Sequence, residues 1–301
     1  MARPVTNLHQ FVHVLPRFYA GKMLFVDSTY GSNSYTGNKP EAPLRSINYA
    51  MTKCVDDHDD LIVVLNGYNN DLTDAETNGD DTPITLDKNG VTVLFSGRNN
   101  TVQGIEADDS VFKIDANQVT LGVLKGGGIM IAAAKAGTAG TVVEIAASAV
   151  DAEVFGFYTD SCDGYDELIV VNATAHRAYI HDNYLIGDAT DTDEGIRIEG
   201  TNQESRIWNN TLITCALGTA GIDVTAAAVM VDIRGNVLLH EAASKYGIKG
   251  HASATGLVIG NMIRTHNSHT SKNVSGAKLA KFENYTPATL LLSGKILPAI
   301  A

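Results

Sequence analysis

An all-β fold of stacked coils is predicted by two interleaved repeats that share a period of about 26 residues. The first reads G-I-R-I-E-G (195–200), G-I-D-V-T-A (221–226) and G-I-K-G-H-A (247–252), and its opening glycines, Gly195, Gly221 and Gly247, are evenly spaced. The second keeps step with it: A-Y-I-H-D-N-Y-L-I (178–186), S-R-I-W-N-N-T-L-I (205–213), M-V-D-I-R-G-N-V-L-L (230–239) and G-L-V-I-G-N-M-I (256–263). Its asparagines, Asn183, Asn210, Asn236 and Asn261, recur at almost the same interval. Two series with one period mean one coil per repeat. Short β-branched stretches of period 2, broken by Gly, Asn and Asp, fill residues 90–265, and no helical period runs through them. Helical solenoids are thereby excluded, and the missing L-x-x-L-x-L ladder excludes a leucine-rich repeat.

The elements follow in chain order. Residues 43–54 place Leu44, Ile47, Ala50, Met51 and Cys54 on one helical face, which suits a helix capping the open end of the stack. Residues 60–68, D-L-I-V-V-L-N-G-Y, read as the first buried strand. V-F-K-I-D-A (111–116), V-V-E-I-A-A (142–147) and L-I-V-V-N-A (168–173) are earlier copies of the first repeat with looser spacing. The Gly- and Ala-rich stretch 126–141 lengthens the interval between the first two of these copies, so an irregular coil or a loop is expected there. Ile196, Ile198, Ile222 and Val224 should point inward and Arg197, Asp223 and Lys249 outward. Asn at the same corner of successive coils tolerates left-handed turn geometry and bonds to its own kind one coil away, predicting a structural ladder.

The opening F-V-D-S-T-Y-G-S-N-S-Y-T-G (25–37), with P-L-R-S-I-N-Y-A (43–50) and L-I-V-V-L-N-G-Y (61–68), resembles the first coils of pectin-lyase-like proteins. That likeness extends over roughly residues 23–265. It implies a single-stranded right-handed parallel β-helix, in a superfamily of polysaccharide lyases, glycoside hydrolases, phage tailspikes and other phage surface proteins. The ending K-F-E-N-Y-T-P-A-T-L-L-L-S-G-K-I-L-P-A (281–299) resembles the tails of phage β-helix proteins. The N-T-D, G-H-G and R-I-K motifs of a polygalacturonase are missing. Fold is implied by this resemblance, and no catalytic residue is carried over from it.

The division expected is an arm (1–22), the β-helix (23–267) and an apolar, basic tail (268–301). The formal charge is −12, with +3 at each end and hence −18 on the body between. An acidic body disfavours nucleic acid and anionic membrane. Cys54, Cys162 and Cys215 are odd in number and widely spaced, which suits free thiols made in a reducing host cytoplasm. The chain shows no signal-peptide pattern and no apolar run long enough to cross a bilayer, so the sequons at Asn99, Asn172, Asn209, Asn273 and Asn284 are expected to be unused.

Candidate chemistry lies on the outer face. One outward column holds Arg197, Asp223 and Lys249, and a second beside it holds Glu199, Thr225 and His251, with neighbours about 5 Å apart. Glu199 and Asp223, near Lys249 and His251, have the residue types of a glycosidase acid–base pair. The same pattern also reads as a ladder of alternating charge that stabilises strand pairing. The turns D-S-C-D-G-Y-D-E (160–167) and D-A-T-D-T-D-E-G (188–195) share one corner, and Asp163, Asp166, Asp191 and Asp193 offer oxygen ligands for Ca²⁺; no other cofactor is expected. Solvated acidic turns are the plainer reading. Trp208 and Tyr184 are candidates for a sugar-binding face or for packing. His9, His13, His266 and His269 have no partners at metal-site spacing.

Both ends are apolar and basic, and Phe11, Arg17, Phe18 and Tyr19 in the arm are the candidate anchoring residues. The expected function is that of a non-enzymatic protein on the surface of a tailed-phage virion, as a capsid decoration or a tail or fibre component. Its partners would be other virion proteins, and the resemblance implies a homotrimer. The alternative is a tailspike that degrades or binds host polysaccharide, using Glu199 and Asp223; a bacterial carbohydrate-binding module is a more distant reading.

Overall fold

The computed structural model describes residues 21–70, 83–104, 110–124, 128–131, 139–159, 164–187, 192, 194–214, 220–240, 246–265, 274–285 and 295–296. These residues form a parallel β-solenoid with three sheets running along its length. The first sheet has ten strands: Met23–Val26, Leu61–Val64, Thr92–Phe95, Thr120–Val123, Glu153–Phe155, Tyr179–His181, Arg206–Trp208, Val231–Arg234, Gly256–Ile259 and Leu279–Phe282. The second begins at Asn100–Val102 and reaches Asn284–Tyr285, where Lys295–Ile296 joins it antiparallel. The third runs from Ile84–Leu86 to Tyr246–Gly250 in seven strands. From Ile84–Leu86 to Met262–Thr265 each coil visits the third, first and second sheets in turn.

Registers match the repeats. On the third sheet Val143, Ile169, Ile196, Ile222 and Ile248 pair in succession, all essentially fully buried. Alternation sends Ile145, Val171, Ile198 and Val224 inward one step on. The wider early coils, such as the one in which Phe112 pairs with Val143, enclose aromatics. Tyr68, Phe95, Phe112 and Phe157 meet edge to face at 5.6, 6.1 and 5.8 Å.

The capping helix is shorter than expected, Ile47–Met51, because Ser46 ends its N-terminal side by accepting the Tyr49 amide at 3.2 Å. Its apolar face is as predicted: Leu44, Ile47, Ala50, Met51 and Cys54 are all buried. The strand Leu61–Val64 is not the first, since Met23–Val26 pairs with it. Asp60 fastens this end from a fully buried position, accepting the Lys22 and Val55 amides at 2.5 and 2.9 Å. At the other end the stack passes the boundary expected at 267. Leu279–Phe282 extends the first sheet and Asn284–Tyr285 the second, so part of the supposed tail continues the coils.

The asparagine column is a hydrogen-bonded ladder of five rungs, one more than the sequence suggested. Asn183, Asn210, Asn236 and Asn261 each donate from Nδ2 to Oδ1 of the next, ending at Asn284, at 2.8–3.0 Å. Each rung follows a left-handed residue: Asp182, Asn209, Gly235, Gly260 and Glu283, with φ from 49° to 66°. That bend turns the chain from the first sheet to the second and aims the amide along the stack.

Candidate functional site

The predicted outward column exists, and its residues are direct neighbours: Arg197 pairs in register with Asp223, and Asp223 with Lys249. Lys249 Nζ donates to Asp223 Oδ2 at 2.7 Å. Arg197 donates to Glu167 through Nη1 and meets Glu199 Oε1 through Nη2 at 2.6 Å. One expectation fails on solvation: Asp223 lies on the outer face, yet its side chain is only 3% exposed. The second column also holds, since the Glu199, Thr225 and His251 amides bond to the carbonyls of Val171, Ile198 and Val224 on the coil before.

Both carboxylates of the expected acid–base pair, Glu199 and Asp223, are held in ion pairs. Glu199 is engaged by Arg197 and Asp223 by Lys249, two different cations. His251 is exposed, and its Nδ1 accepts the Ser253 amide of its own turn at 3.1 Å. The arrangement joins successive coils by charge.

Glu167 and Glu194, absent from the candidates in the sequence, belong to this site. They end the two acidic turns and are direct neighbours in register. Burial raises the Glu167 pKa and outweighs the opposing pull of Arg197, with Glu194 and Asp166 adding to the rise. The signal was present in D-G-Y-D-E and D-T-D-E-G: Glu194 begins the strand Glu194–Ile198, and Glu167 lies two residues inside the strand Tyr165–Val171. Asp166 is exposed beside them. Asp163, Asp191 and Asp193 lie outside the described residues, and among the described residues no group of three His, Cys, Asp or Glu side chains is arranged to hold a metal ion. Cys162, Cys215, Phe11, Arg17, Phe18 and Tyr19, with His9, His13, His266 and His269, also lie outside them. Cys54 is buried, and that burial, with Asp60 nearby, pushes its thiol pKa up to about 12.

Trp208 and Tyr184 occupy different sheets, the first and the second, on either side of the asparagine corner. Trp208 stacks on His181 at 4.6 Å with planes 2° apart, and His181 stacks on Phe155 at 5.1 Å. One face of the indole is therefore covered by a neighbouring ring. Tyr184 is 46% exposed.

No protein-family profile matches the chain, and no curated protein matches it in sequence. Among solved structures it is similar to a pectin methylesterase variant in complex with a hexasaccharide, at 11% identity over 92% of this chain and 93% of that one, TM-score 0.56. A second pectin methylesterase–hexasaccharide complex matches at 10% identity, with the same coverage and TM-score 0.54. A rhamnogalacturonan lyase aligns over 92% of this chain at 11% identity, with TM-score 0.32. Together with the three parallel sheets, the first two likenesses define the class: a right-handed parallel β-helix of the pectin-lyase-like fold.

Proposed function

We propose that the protein is a structural, non-catalytic β-helix on the surface of a tailed-phage particle, a homotrimer anchored through its apolar and basic ends. The observation that supports a structural role is the use made of the outer-face charges. Arg197 reaches Glu167 on the preceding coil and Lys249 holds Asp223 on the coil before it, so two of these ion pairs bind coil to coil, while Glu199 pairs with Arg197 on its own coil. The phage setting is supported by the resemblance of residues 281–299 to the tails of phage β-helix proteins and by the +3 charge at each end of an acidic body.

Immunogold electron microscopy of the intact virus, with antibody against residues 23–267, tests the location. Regular label over the head supports a decoration protein, label confined to the tail supports a fibre or spike, and an unlabelled particle overturns the proposal. Deleting residues 2–20 should abolish incorporation while the body still folds. Release of reducing or unsaturated sugar ends from host polysaccharide, lost in Glu199→Gln, would overturn the non-catalytic reading. A monomer by sedimentation would remove the trimer.

A further inference from the structure

His181 lies on the outer face of the first sheet with its side chain only 14% exposed. Register sets Phe155 on the coil before it and Trp208 on the coil after. The imidazole is sandwiched between the two rings, with planes 7° and 2° from theirs. Its edges are occupied as well: Nε2 is 3.1 Å from Glu153 Oε1, and Nδ1 is 2.8 Å from Asp182 Oδ2. An ionised carboxylate can only accept a hydrogen bond, so both contacts are satisfied only when both ring nitrogens carry protons. Aromatic faces on either side further favour the cation.

We propose that His181 is held as an imidazolium and forms a pH-sensitive clasp across three consecutive coils, closed while the ring is charged and released when it loses its proton. Deprotonation leaves one nitrogen lone pair facing a carboxylate and removes the cation from between the two rings. Three coils are then joined there by backbone pairing and ring contact alone.

The surrounding charges are few and identifiable. Glu153, which also accepts from Thr120 Oγ1 at 3.1 Å, comes from the preceding coil, and Asp182 adjoins His181 on its own. Tyr179 is on the same strand, with the Arg206 guanidinium 5.5 Å over its ring. Beyond Trp208, the Asp232 and Arg234 side chains pair with each other. Burial lowers the His181 pKa, but the hydrogen bonds and charges of Glu153 and Asp182 outweigh it and leave the value raised. The hydrogen bond from His181 lowers the Glu153 pKa against the effect of burial.

The signs set the working range. A raised histidine contributes fully below its ordinary 6.5 and loses its contribution as pH rises through the folded value. A lowered glutamate contributes fully above its ordinary 4.5 and loses its contribution as pH falls through its own folded value. The clasp is thus fully closed between about 4.5 and about 6.5 and opens on the alkaline side.

Trp208 is the only tryptophan in the chain, so its emission reports on the ring stacked against it. A stacked imidazolium quenches indole fluorescence more strongly than neutral imidazole. The full chain, titrated from about pH 5 to about pH 10, should brighten in one step with a midpoint above 6.5, and its melting temperature should fall across the same step. His181→Phe, which keeps three stacked rings without the charge, should abolish the step and flatten that fall. Glu153→Gln should move the midpoint down. A wild-type midpoint at or below 6.5, or a step that survives in His181→Phe, would overturn the clasp. Should His181→Phe fail to fold, an unmoved midpoint in Glu153→Gln has the same force.

Discussion

A primary amide offers two donor hydrogens and two acceptor lone pairs, and Asn210, 1% exposed, uses both kinds along the stack. Its Nδ2 donates to the Ile180 carbonyl at 2.9 Å and to Asn236 Oδ1 at 3.0 Å, while its Oδ1 accepts from both nitrogens of Asn183. Asn210→Ala leaves the Asn183 donors and the Ile180 carbonyl without these partners in the interior. The expected cost is about 3 kcal/mol, read from the shift in a urea unfolding curve followed by circular dichroism. Four rungs of this ladder were legible because asparagine recurred at one period. The fifth, Asn284, was hidden because the coil leading to it is shorter than those before, so it follows Asn261 sooner than the period requires. The stack around His181 was not legible, because period and polarity indicate which face a side chain occupies but not that its ring lies parallel to those above and below.

At the scale of the strand, a charged column succeeds only if each member finds its complement on the next coil. Lys249→Met removes the Lys249 ion pair from the Asp223 carboxylate, 3% exposed, and should destabilise the fold by about 2 kcal/mol. Adding Asp223→Asn should recover part of that loss, and a double-mutant cycle in urea measures the coupling; full additivity would mean that the pair contributes nothing. The columns themselves could be read because alternation along a strand and a period between strands together assign a register. The partnership of Arg197 with Glu167 could not, since Glu167 was counted with its acidic turn. The strand Tyr165–Val171 starts two residues before Glu167, inside the acidic run, and only the backbone path decides which side chains that glutamate faces. The helix boundary failed for a related reason: the apolar face of 43–54 is real, but the Ser46 cap decides where helical hydrogen bonding begins.

Over the whole molecule, a stack in which each coil pairs mainly with its neighbours should tolerate the loss of one coil. Deleting residues 197–222 joins Ile196 to Asp223 and removes one period, since Ile196 pairs with Ile222 in the intact chain. The shortened chain should fold with the same circular dichroism shape and a lower melting temperature. Removing about half a coil, residues 197–209, puts inward residues outside and should not yield a folded protein. The architecture was legible at this scale because a period is a global property, visible without any knowledge of contacts. The wide early coils were less so, since their extra residues vary from coil to coil. The parallel ladders also have a mechanical side. Hydrogen bonds between successive coils lie along the long axis, so tension applied between the two ends loads them lengthwise and a few at a time. Coils should peel away singly, each trading about 5 Å of height for about 90 Å of extended chain, and the protein should yield to a pull in small, nearly equal steps at low force.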